Sequence, residues 1–149
     1  MKSGTTLDFA AQWSRLNDTI VDLVDFIPNN KLDWSPREDL WNFRGILIHI
    51  AGSREYWMGR VVKDGDPAKS AYETARSRDE IKLELEHTWD RVQRFLVDPT
   101  KLAATYREDT EVKGHWIAFH LLEHDIHHRS DIFHDLALLE IEHPEIGTP

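Results

Sequence analysis

The chain contains no cysteine among its 149 residues. Disulfides and thiolate metal sites are thereby excluded, and any bound metal must be held by His, Asp or Glu. Long apolar runs are missing as well. The N-terminal MKSGTTLDFAAQW holds none of signal-peptide length, and nothing later reaches the roughly 20 residues of a membrane span. A cytoplasmic protein is the expectation. Nor is there a basic patch: 18 Lys and Arg are interspersed among 27 Asp and Glu, giving a net charge of −9. Such a field repels nucleic acid and anionic membrane surfaces. No internal repeat or low-complexity segment divides the chain. Residues 1–149 suit one domain, long enough to bury a core without staples.

What is present is helical periodicity. Phe9, Trp13, Leu16, Ile20, Leu23 and Phe26 recur at steps of three and four, which predicts a helix over 6–27 with Thr5 and Asp8 at capping-box spacing. Pro28-Asn29-Asn30 stops it. Ser35-Pro36 resembles a helix start, and Ile46, Leu47, Ile50, Trp57 and Val61 predict a second helix over 40–62. SRDE, with Ser77 and Glu80 as a capping box, opens a third over 78–96. Residues 100–113 form either a small hairpin or an irregular lid. A fourth helix covers 115–139. The expected fold is all-α, a four-helix bundle with long crossover loops.

Nine histidines are present, and EHDIHHRSDIFHD (Glu123 to Asp135) holds four of them. On a helix His124 and His128 lie one turn apart on one face, together with Ile117, Leu121 and Asp131. That face points into the bundle. His49 stands among Ile46, Leu47 and Ile50 on another helix. A single histidine on an apolar face is ordinarily a hydrogen-bonded core residue, but three inward histidines match the donor set of a catalytic zinc-type centre. A rival parse uses the same letters: His120 to His124 fits H-x-x-E-H, the inverted zinc-peptidase signature, with Glu123 as general base. It requires a further carboxylate ligand, and only 25 residues follow His124. His120, on the first reading, lines the pocket. Glu123, Asp125 and Asp131 are candidates to orient ligand imidazoles, or are simply solvated.

Two blocks carry a resemblance to the DinB/YfiT-like superfamily of small metal-dependent enzymes. They are HIAGSREYW (His49 to Trp57) and HLLEHDIHHRSDI (His120 to Ile132), with LDWSPRED resembling the family's Trp-x-Pro lead-in. The resemblance implies a bundle, often dimeric, that holds Zn²⁺ or Ni²⁺ through His49, His124 and His128. It also implies a small-molecule substrate and, in many members, a low-molecular-weight thiol used by S-transferases or an isomerase. Metal-dependent hydrolysis and a non-catalytic metal-binding or interaction role stay open. The six Trp and the family's pairing habit suggest a homodimer. One departure concerns the pocket lining: Ser130-Asp131 follows His128-Arg129, where many relatives carry Gly with Gln or Glu.

Overall fold

A computed structural model describes residues 9–67 and 69–144. Four long helices form the bundle: α1 (Phe9–Phe26), α2 (Phe43–Glu55), α3 (Arg78–Leu96) and α5 (Gly114–Leu138). A short helix, α4 (Pro99–Ala103), and a hairpin of β1 (Thr105–Arg107) and β2 (Glu111–Lys113) join α3 to α5. Residues 100–113 thus fold as part of a helix and a hairpin rather than as a lid. Helices α1 and α2 each pack on both α3 and α5, so α1 and α2 face each other across the bundle.

The periodic apolar residues supply the core. Trp13, Leu16, Ile20 and Leu23 of α1 are buried, as are Ile46, Leu47 and Ile50 of α2. Ile81, Leu85, Trp89 and Val92 of α3 meet Ile117, Leu121, Ile132 and Leu136 of α5 in the same cluster. Each such side chain stabilises the fold by about 1.5–3 kcal/mol relative to exposure. Helix α3 begins where expected. The Ser77 side chain accepts from the Glu80 amide, and Glu80 accepts from the Ser77 amide, a complete capping box. The Thr5–Asp8 pair lies outside the described residues.

The second helix differs at both ends. It starts at Phe43, not 40, because the Asn42 side chain accepts from the Gly45 amide at 2.7 Å and caps it. Ser35 instead donates to the Arg37 carbonyl at 2.8 Å inside a turn, so Leu40 and Trp41 stay in the loop. At the other end, α2 runs on as a π-helix over Tyr56–Val62, which Lys63 ends in the left-handed region at φ 55°. Single π turns inside α-helices occur often beside functional sites.

The crossover between α2 and α3 is tied down by charge. Arg91 of α3, nearly inaccessible, donates to both oxygens of Asp64 at 2.8 Å and also pairs with Glu55. The α4–α5 junction needs glycine. A Cβ at Gly114 would stand 2.2 Å from the Lys101 carbonyl oxygen and 2.6 Å from that of Leu102.

Candidate metal centre

Helices α2 and α5 pack directly on each other. His49 lies in the middle of α2, and His124 and His128 lie one turn apart on the facing side of α5. The Nε2 atoms of His49 and His124 are 2.8 Å apart. Ring centroids of the three histidines stand 4.5–4.8 Å from one another. One ring nitrogen from each falls within 4.8 Å of the other two. The distant histidine has joined the pair.

Electrostatics keep these rings neutral. Burial, then the neighbouring imidazoles, push the His124 pKa down to about 3. Burial also lowers His49 and His128, in His128 against the opposing pull of Asp131. Neutral imidazole is the form that ligates a metal. Asp131 lies 3.1 Å from His128 Nδ1. With the proton on Nδ1 donated to that carboxylate, the Nε2 lone pair of His128 is left free.

The residues fit a divalent ion. His49 Nε2 and His124 Nε2 face each other at 2.8 Å and a ring nitrogen of His128 lies within 4.8 Å of the set, so three nitrogen donors turn to one point. Two nitrogens each about 2.0–2.1 Å from a tetrahedral ion stand roughly 3.3–3.4 Å apart. The 2.8 Å separation of His49 and His124 therefore has to open only slightly. A second grouping, His127, His128 and Asp131, shares one member. Its His127 side chain is 70% exposed, so it offers a solvated fringe rather than an enclosed site.

Aromatic rings flank the cluster on two sides. Trp41 lies 4.3 Å from the His49 ring and 5.7 Å, nearly parallel, from that of His128. Its position is set by the loop: the Phe43 amide donates to the Trp34 carbonyl, and the Arg44 amide to that of Leu32. Beyond His124 the His120 ring stacks on Trp116 at 4.9 Å, and Trp57, from the π turn, meets both edge-on. Trp41 and Trp116 are about half exposed, which makes them walls of an opening. A larger apolar cavity of about 680 Å³, lined by Phe9, Trp13, Val97 and Phe119, contains none of the three histidines.

The other predicted residues fall as follows. His120 lies one turn from His124, with ring centroids 6.0 Å apart, outside the converging set. Glu123 is exposed, so the geometry does not bring together the inverted-peptidase trio. Asp131 does contact a site imidazole. Asp125, expected on the surface or beside an imidazole, is fully buried and pairs with Arg54 at 2.8 Å. Arg54 also donates to the Asn17 side chain and the Leu85 carbonyl, while the Trp13 indole donates to Asp125. Arg54 gave the missed signal. It follows Ile50 by four residues on an apolar face, and a buried guanidinium requires an acid from another helix.

Comparison with known proteins agrees with this architecture. The fold resembles a DinB-like protein from Bacillus subtilis, with a TM-score of 0.72 at 17% identity over 93% of this chain and 94% of that one. A DinB-like protein from Bacillus cereus matches with a TM-score of 0.72 at 12% identity, over 92% and 94%. At such identities the likeness speaks for fold alone. No curated protein is similar enough in sequence to count as a relative. Among the described residues no helix is long and apolar enough to cross a membrane. Residues 9–132 match the profile of the DinB superfamily, and the chain belongs to that superfamily.

Proposed function

We propose that His49, His124 and His128 hold one divalent ion, zinc or nickel, and that the protein is an enzyme joining a low-molecular-weight thiol to a small electrophile. The observation that carries this reading is the convergence of three neutral imidazole nitrogens, from two helices, within 4.8 Å. A divalent ion with an open coordination position supplies Lewis-acid chemistry, and a thiol that binds such an ion loses its proton outright.

The chain's own residues suit that chemistry. It has no cysteine, so the sulfur must arrive on a small molecule. Asp131 faces His128 Nδ1 through one oxygen, where it orients that ligand. Glu123 is exposed, and among the described residues Asp131, held against His128, is the carboxylate in contact with the cluster. A nucleophile that ionises on coordination fits better. Trp41 on one side, and His120, Trp57 and Trp116 on the other, give an apolar opening that limits water and favours a small apolar electrophile.

The test uses Co²⁺ as the probe ion. Adding glutathione or a related thiol to the Co²⁺-loaded protein should produce a sulfur-to-metal charge-transfer band, and the His49→Ala variant should lack it. Thiol-independent ester hydrolysis without that band would favour metal-dependent hydrolysis instead. Coordination by four protein ligands, closed to any thiol, would make the ion structural.

A further inference from the structure

A second concave site lies beside the histidine cluster, between the Pro36–Trp41 loop and the last turns of α5. Its volume is about 280 Å³, and Leu40, Trp41 and Ile46 line it together with Asp39, Asp131 and Asp135. No basic side chain lines it. The three carboxylates differ in what they already hold. Asp39 is paired with Arg37 through both oxygens, at 2.6 and 2.9 Å, on the exposed rim. Asp131 faces His128 Nδ1 at 3.1 Å through one oxygen. Asp135 is only 8% exposed, and no hydrogen bond or ion pair of its carboxylate is found among the described residues.

A carboxylate with little access to water and no donor is costly, and like charges four apart on a helix repel. Burial and the nearby Asp131 hold the Asp135 pKa above the usual carboxylate range, against a smaller opposing effect of His134. The pocket wall thus carries two acids with no cation between them. A metal ion is a poor match. Asp135 belongs to none of the groups whose ligating atoms converge within 4.8 Å among the described residues. An organic ammonium spans more space and brings three N–H donors. Trp41, half exposed at the pocket wall, offers a π face of the kind that attracts cations. The volume falls just below the roughly 300–1,000 Å³ of drug-sized sites, which restricts the ligand to a small one.

We propose that this pocket binds a small primary amine in its ammonium form, with Asp135 as the main acceptor, Asp131 as the second and Trp41 as the apolar wall. The site shares Trp41 and Asp131 with the surroundings of the histidine cluster but needs no metal. Its standing is therefore independent of the thiol-transfer reading.

The experiment is calorimetric titration of the full chain, metal-free and Zn²⁺-treated, with n-butylammonium chloride and separately with n-butanol. Saturable one-to-one binding in the millimolar range or tighter is expected for the ammonium, with the alcohol at least about tenfold weaker in both preparations. Asp135→Asn should weaken the ammonium by about tenfold or more, and Trp41→Ala should weaken it less. Equal binding of alcohol and ammonium, no saturation with the ammonium, or unchanged affinity in Asp135→Asn would overturn the proposal. So would stoichiometric displacement of the ammonium by Zn²⁺ in the His49→Ala variant, which would make the pocket a metal site. Should Asp135→Asn fail to fold, the comparison of ammonium and alcohol on the unmodified protein decides.

Discussion

The Arg54–Asp125 cluster and the histidine cluster inside this bundle are solved in opposite ways. Around Arg54 and Asp125 the charges cancel, and four hydrogen bonds reach α1, α3 and α5 from α2 and α5. Around His49, His124 and His128 there is no charge, only ring nitrogens turned toward one another. Although Arg54 Nε and Asp125 Oδ1 stay without a partner among the described residues, the first cluster supplies its own cation. The second has donors to spare and lacks one. The difference suggests that the Arg54 network fixes how α2 and α5 meet, whereas the histidines use that fixed geometry. Arg54 follows His49 by five residues and Asp125 follows His124 by one, so the pair sits about one and a half turns from one ligand and adjacent to the other. A one-residue slip at either helix would turn its histidine by about 100°.

The largest effect is expected from breaking the charged cluster on one side. Arg54→Ala should cost about 3–5 kcal/mol in urea denaturation, because Asp125 is left buried and uncompensated. The double replacement Arg54→Met with Asp125→Leu should be far milder in stability, near neutral or stabilising. If the network also sets the helix register, the double variant will bind Zn²⁺ more weakly despite its stability. Unchanged Zn²⁺ affinity in that variant would reduce the network to a folding element.

A smaller effect follows from the neutral cluster. An unfolded histidine titrates near 6.5, and the folded His124 value is about 3. The native state therefore binds fewer protons, so its stability is fully present above about pH 6.5 and is lost as pH falls from there toward 3. The slope from this one group is at most about 1.4 kcal/mol per pH unit. Thermal melts of metal-free protein between pH 7 and 4 should show that loss, and His124→Asn should flatten it. An equally steep loss in His124→Asn would assign the acid sensitivity elsewhere.

The smallest effect is expected at the opening. Trp41 is half exposed, so Trp41→Ala should change stability by about 1 kcal/mol or less. It should still alter the Co²⁺ absorption spectrum, because the ring contacts His49 and His128. An unaltered spectrum would mean that Trp41 does not shape the site.

Much of this was legible in the chain, for identifiable reasons. Helix α3 could be placed to the residue because Ser77 and Glu80 form a local signal that needs no tertiary context. His124 and His128 were legible because spacing alone puts them on one face. The start of α2 was not. Ser35-Pro36 resembles a helix start, yet the loop hydrogen bonds of Leu32 and Trp34 hold residues 35–41 in turns until Asn42 caps the helix. The π turn at Tyr56 was hidden as well, since its hydrogen-bond pattern is chosen by packing rather than by propensity. Asp125 was the sharpest miss. It stands between His124 and an exposed Ile126, and only the arrival of Arg54 and Trp13 from other helices makes its burial tolerable.

The central claim is that the neutral cluster is built for a cation, and direct titration of the metal-free protein with Zn²⁺ or Ni²⁺ tests it. One ion per chain should bind, and at a hundredfold excess over the dissociation constant it should stabilise the fold by about 2.7 kcal/mol. His49→Ala, His124→Ala and His128→Ala should each abolish most of that binding, while His120→Ala, His134→Ala and His143→Ala should retain it. No binding by the unmodified chain, or binding that survives His49→Ala and disappears in His120→Ala, would contradict the account.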